Sequence, residues 1–180
     1  ELTMLNGIPA NERRVRKYFE EAVRGKADVS FDNLGSVIAT KVGVADGPRI
    51  MVAGHMDEIG FIVSEISKEG YVKFIPAGGW WGHVVLGQQF TITTAEDKTI
   101  HAVTGSKPPH ILKDEEKTKV VDLKDMYLDL GVASKEAVLA LGVRIGDMIT
   151  PSIESRDLAD PKFILAKALD CIGADGSNER

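Results

Sequence analysis

Apolar positions form a helical stripe near the start of the chain. Val15, Tyr18, Phe19, Ala22 and Val23 recur at the spacing that lines one face of a helix. Pro9 suits a helix start, Asn11-Glu12 would put a capping side chain and a negative charge near its N-terminal end, and Gly25 would end it. The pattern then turns to strands. Val29-Ser30-Phe31 leads into the turn-rich Asp32-Asn33-Leu34-Gly35, and Val37 to Val42 is extended in character and rich in β-branched residues. Ile50-Met51-Val52-Ala53 is a short continuous apolar run, which predicts a strand buried on both faces in a sheet covered by helices. It runs into Gly54-His55-Met56-Asp57-Glu58, and open α/β sheets place their chemistry at the carboxyl ends of such strands.

From Ser67 the character changes. Tyr71 to Ile75 and Gln89 to Thr94 alternate or are β-branched, and Gly-rich or charged turns separate them. Short strands at such spacing predict a small β-rich unit, a barrel or sandwich. Met126 to Leu130 and Val143 to Ile149 are further strand candidates, and Ser134 to Leu141 reads as a brief helix with Ser134 as its cap and Gly142 just past its end. After Pro161, the apolar Phe163, Ile164, Ala166 and Leu169 read as the first turns of a new helix or the approach to one. The chain therefore divides into 1–66, an α/β segment; 67–155, a β-rich insertion; and 156–180, a return to the α/β segment. The expected fold class is α/β, a mixed sheet with helices, carrying a small β-barrel-like domain.

Composition narrows the classes. Hydrophobic residues at 43% and charged residues at 27% are ordinary for a folded globular chain and exclude a disordered tail. The excess of 27 acidic over 22 basic residues gives a net charge of −5, which disfavours nucleic acid and anionic membranes as partners. Apolar runs fall far short of the roughly 20 residues of a membrane helix. A single cysteine, Cys171, and no recognisable leader lead us to expect a reducing, cytoplasmic location.

The candidate chemistry lies in two places. His55 and Asp57, two apart after an apolar run, suit a metal ligand and the carboxylate that orients its imidazole; taken alone, the motif is weak and more often describes a surface histidine beside a loop acid. Lys167-Ala168-Leu169-Asp170 offers one carboxylate after an apolar run, which by itself carries no chemistry. The remaining histidines, His83, His101 and His110, fall in the β-rich segment and read as structural or surface residues.

In order, and with a β-rich segment between them, these stretches resemble the glutamyl and deblocking aminopeptidases, the tetrahedral-shell dinuclear metallo-aminopeptidases. The resemblance rests on Leu2 to Pro9, Asp32 to Ser36, Ala53-Gly54-His55-Met56-Asp57-Glu58-Ile59-Gly60-Phe61, Gly78-Gly79-Trp80, Gly142 to Asp147 and Lys167 to Asp170. It implies that His55 ligates a metal ion, that Asp57 is the catalytic-site carboxylate orienting His55, and that Asp170 bridges two divalent ions, zinc or cobalt. It implies peptide substrates cleaved after their N-terminal residue, and homo-oligomers assembled through the insertion 67–155.

The same resemblance sets expectations about the chain's end. The family follows its bridging Asp with an acidic or amide residue and an Arg, and draws further carboxylates, a second histidine and a Glu-Glu pair from downstream. Here Cys171-Ile172-Gly173 follows, and Glu115-Glu116 precedes Asp170 in a charged loop. The ending thus reads as cut. A hydrolytic zinc site generally takes three protein ligands plus water. His55 and Asp170 supply two, so these 180 residues alone are expected to bind catalytic metal weakly and turn over little. The alternative is a non-catalytic assembly or binding module built on the β-rich insertion. Trp80-Trp81 would suit its interface as well as they would suit a core.

Overall fold

A computed structural model gives the structure of the chain and describes residues 1–167, apart from the side chain of Glu116. The elements, in order, are α1 (Arg13–Val23), β1 (Asp28–Phe31), β2 (Val37–Thr40), β3 (Gly60–Ile66), β4 (Val72–Ala77), β5 (Gln89–Thr93), β6 (Thr99–Gly105), α2 (Asp114–Lys117), β7 (Tyr127–Asp129), α3 (Lys135–Ala140), β8 (Met148–Pro151), β9 (Arg156–Asp157) and β10 (Ile164–Leu165). Six strands close into a barrel in the order β3-β4-β7-β6-β5-β8, with every pairing antiparallel. This is the barrel expected from the sequence. Its first strand is Gly60–Ile66, upstream of residue 67, and its last ends at Pro151.

The barrel owns most of the core. Phe61 and Val63 point inward at alternate positions of β3; a register shift between Val63 and Glu65 then brings Ile66 inside. Val72, Phe74, Phe90, Ile92, Leu128 and Ile149 fill the rest of the interior. Phe61 stacks on Trp80 at 4.7 Å between ring centroids, and Phe74 and Phe90 meet Phe61 at 4.6 and 5.5 Å. The two tryptophans take different parts. Trp80 joins this cluster and donates its indole N–H to the Gly60 carbonyl at 2.9 Å, whereas Trp81 is 77% exposed. Strand β5 is buried on both faces: the Thr91 and Thr150 hydroxyls meet at 3.1 Å, and Thr93 accepts from the Asn6 side-chain amide at 3.0 Å. The outer wall of β5 is therefore where the N-terminal segment docks.

Several local expectations are corrected. Helix α1 begins at Arg13 rather than Pro9, and Glu12 occupies the cap position without a side-chain cap. Its carboxylate instead accepts from the Ala10 N–H at 2.7 Å, so the local turn takes the acceptor that would have capped the helix. Only Val15 of the apolar stripe is buried. Gly25 does end the helix region, at φ +73°. Val143 to Asp147 is not a strand: Gly146 sits at φ +94°, and the Asp147 carboxylate accepts from the Arg144 N–H at 2.8 Å, closing a turn before β8. Residues 164–165 pair with β9 as a short extended segment instead of opening a helix. Ser134 caps α3 as expected, accepting from the Ala137 N–H at 3.2 Å.

The largest correction concerns Ile50-Met51-Val52-Ala53. It forms no strand, and Ile50, Met51 and Val52 are 82%, 88% and 74% exposed. A buried strand needs neighbours on both edges to satisfy its backbone groups, and among the described residues no strand pairs with this run.

Candidate functional site

His55 sits in the irregular stretch just ahead of β3. Its ring Nδ1 lies 2.8 Å from Asp57 Oδ1 and 3.1 Å from the Asp57 carbonyl oxygen. Both partners are acceptors when Asp57 is ionised, so the Nδ1 position must carry the proton. In the neutral ring that partner fixes the tautomer, leaving the lone pair on Nε2. The imidazole side chain is 42% exposed, so a ligand can reach it. A neutral histidine with one nitrogen held by a carboxylate and the other open is the donor arrangement of a metal ligand.

The anchor for this pair is the next residue. Glu58 is buried while His55 is exposed, and the peptide N–H of Glu58 donates to the Gly7 carbonyl at 2.7 Å. The Gly7 N–H approaches Glu58 Oε1 at 3.4 Å in return. Lys167 then donates to the same Oε1 at 2.7 Å and to Asn6 Oδ1 at 2.5 Å, and Asn6 reaches Thr93 on β5. Burial pushes the Glu58 carboxyl up from its ordinary value, against the pull of Lys167, and pushes the Lys167 ammonium down, against the pull of Glu58. Glu58 Oε2 is buried and has no hydrogen-bond partner among the described residues.

Three parts of the chain distant in sequence therefore meet on the barrel wall: Asn6-Gly7, Glu58 and Lys167. Sequence reasoning quoted Glu58 and Lys167 within longer stretches and gave neither a role. A carboxylate and an ammonium 109 positions apart carry no local signal that they meet.

Of the sequence-derived site residues, the structure brings His55 and Asp57 into contact; Asp170 lies outside the described residues, as does Cys171. His83, His101 and His110 are exposed, and Glu115 lies exposed on the single turn α2. A cleft of about 620 Å³ between α1 and the barrel is lined by Arg14, Met56 and Asp147, without His55 or Asp57. Among the described residues no three His, Cys, Asp or Glu side chains are grouped to hold a metal ion. The donor geometry at His55 fits one coordination position.

A family model described as M42 glutamyl aminopeptidase matches residues 35–171. A glutamyl aminopeptidase of Lactococcus lactis subsp. cremoris (strain MG1363) is 38% identical over 172 residues, which cover 94% of this chain and 48% of that protein. The crystal structure of a TET aminopeptidase from the marine sediment archaeon Thaumarchaeota archaeon SCGC AB-539-E09 superposes with a TM-score of 0.83 at 42% identity, over 89% of this chain and 45% of that one. The Pyrococcus horikoshii TET1 peptidase, described as assembling into a tetrahedron or a large octahedral shell, superposes with a TM-score of 0.76 at 29% identity, over 88% of this chain and 46% of that one. The chain spans about half the length of the curated relatives it matches.

Proposed function

This chain belongs to the M42 glutamyl aminopeptidase family, and from that premise we propose that it contributes His55, Asp57 and Asp170 to a two-metal site that removes the N-terminal residue of peptides. The carrying observation is the 2.8 Å contact between His55 Nδ1 and Asp57 Oδ1. Asp57 keeps the proton on Nδ1 and the ring at a fixed angle, so Nε2 presents its lone pair without a rotational search. Asp57 also offsets positive charge that builds on the imidazole when it ligates a cation. Asp170, as a carboxylate with two oxygens, would hold the two ions together, and the ions would be zinc or cobalt. When bound, such ions polarise a scissile carbonyl and make a water acidic enough to lose its proton near neutral pH. The barrel is the part that supports assembly: it is closed, carries most of the core and exposes Trp81, and the Pyrococcus horikoshii relative assembles into shells. We infer a homo-oligomer joined through this barrel.

The test is release of the N-terminal residue from a short peptide by the protein as its gene encodes it, with bound metal measured on the same sample. Turnover of the free peptide and none of its N-acetylated form is expected, since the reading requires a free amine. Asp57→Asn should weaken metal binding by about ten- to a hundredfold, and His55→Ala should remove metal and turnover together. A His55→Ala protein that keeps full metal content and turnover would overturn the reading.

A further inference from the structure

Lys167 and Glu58 form an ion pair with side chains only 2% and 6% exposed. Such a pair is a poor source of stability, because the desolvation of two charges about cancels their attraction, and apolar residues of similar volume commonly do as well. What a buried pair does supply is direction. The Lys167 ammonium is fixed by two acceptors, Glu58 Oε1 and Asn6 Oδ1, and Asn6 is itself fixed to Thr93 on the barrel wall. Glu58 is fixed a second time through its own peptide N–H on Gly7. Glu58 follows His55 by three residues. Three residues of chain reach at most about 10 Å, so the anchor at Glu58 limits how far His55 can drift.

Resting on the peptidase reading above, we propose that Lys167 is a positioning residue: by bridging Glu58 and Asn6 it holds the His55–Asp57 segment against the barrel wall in the orientation that metal binding at His55 needs. It acts through its neighbours and touches neither substrate nor metal. Removing the ammonium alone would leave Glu58 buried and uncompensated, so the informative variant removes both charges.

The experiment uses the protein as its gene encodes it, stripped of metal and titrated with Co²⁺ against a chromophoric chelator, with the visible absorption of the bound cobalt recorded. The double variant Glu58→Leu/Lys167→Met is expected to keep a cooperative melt in the metal-free state. Its cobalt affinity should fall by about ten- to a hundredfold, the range seen for residues that orient ligands, and its cobalt spectrum should change. A folded double variant with wild-type affinity and spectrum overturns the proposal while leaving the peptidase reading intact. Should the double variant not fold, Lys167→Arg gives the same readout, because it keeps the charge but replaces a compact ammonium with a planar fork. A changed cobalt spectrum or affinity supports positioning, and unchanged values overturn it. A wild-type protein that binds no Co²⁺ overturns the peptidase reading and this proposal with it.

Discussion

Gly60 is where the N-terminal segment, the candidate site and the barrel touch. A Cβ there would lie 2.4 Å from the Ile149 carbonyl oxygen and 2.6 Å from a methyl of Ile8, and Ile149 is a fully buried barrel residue with little room to retreat. Gly60→Ala should therefore destabilise the protein by about 1–3 kcal/mol, the usual cost of overpacking, read as a lower urea midpoint with unchanged slope. Asp32 makes a different residue-scale prediction. Its carboxylate accepts from the Leu34 and Ser36 N–H groups at 2.9 and 2.8 Å. Hydrogen bonding from Ser36, through side chain and then backbone, holds its pKa below the ordinary carboxylate value. Because the folded value is the lower one, the turn's stabilisation is fully present above the unfolded-state pKa and is lost as pH falls through the folded one. Carboxyl-carbon NMR should find Asp32 titrating below the ordinary aspartate value; titration at or above it would contradict the turn geometry. At this scale, His55 and Asp57 were legible as a pair because they are neighbours. Glu58 and Lys167 were not, because their contact exists only after the chain has closed.

Elements form where local chemistry and tertiary cover agree. The barrel strands were readable because β-branched and aromatic residues alternate between turn residues, and the closed sheet then buries the inward set. Ser134 was readable as a cap for the same kind of local reason. Trp80 was open between core and interface, because an indole suits both. The barrel decides, since the Gly60 carbonyl gives its N–H a partner beside Phe61. Trp80→Phe should keep much of the ring packing and lose that hydrogen bond, at about 0.5–1.5 kcal/mol, measured by denaturant unfolding; no change would mean that the bond adds nothing to the barrel. The run Ile50–Ala53 went the other way. Its composition predicts a buried strand, but burial is a property of neighbours, and no described strand lies beside it.

On the scale of the molecule, a closed barrel with a well-filled interior stands beside a thinner region of two hairpins, one helix and an exposed apolar run. Exposed Ile50, Met51 and Val52, together with Phe163 and Ile164, make apolar surface that water disfavours. A polypeptide of these 180 residues should therefore self-associate. Light scattering should give a mass above the 19.5 kDa of one chain, and Ile50→Ser/Met51→Ser should lower it; a sharp monomer would contradict this. No helix among the described residues is long and apolar enough to cross a membrane. The sequence by itself determined what depends on near neighbours and on period: the β-rich unit, the Ser134 cap, the His55-x-Asp57 motif and the family it resembles. Only the tertiary structure decided which apolar runs are covered, that Trp80 packs inside while Trp81 faces water, and that Lys167 crosses 109 positions to reach Glu58. Those outcomes depend on which distant surfaces meet when the sheet closes, and no local pattern of side chains encodes that.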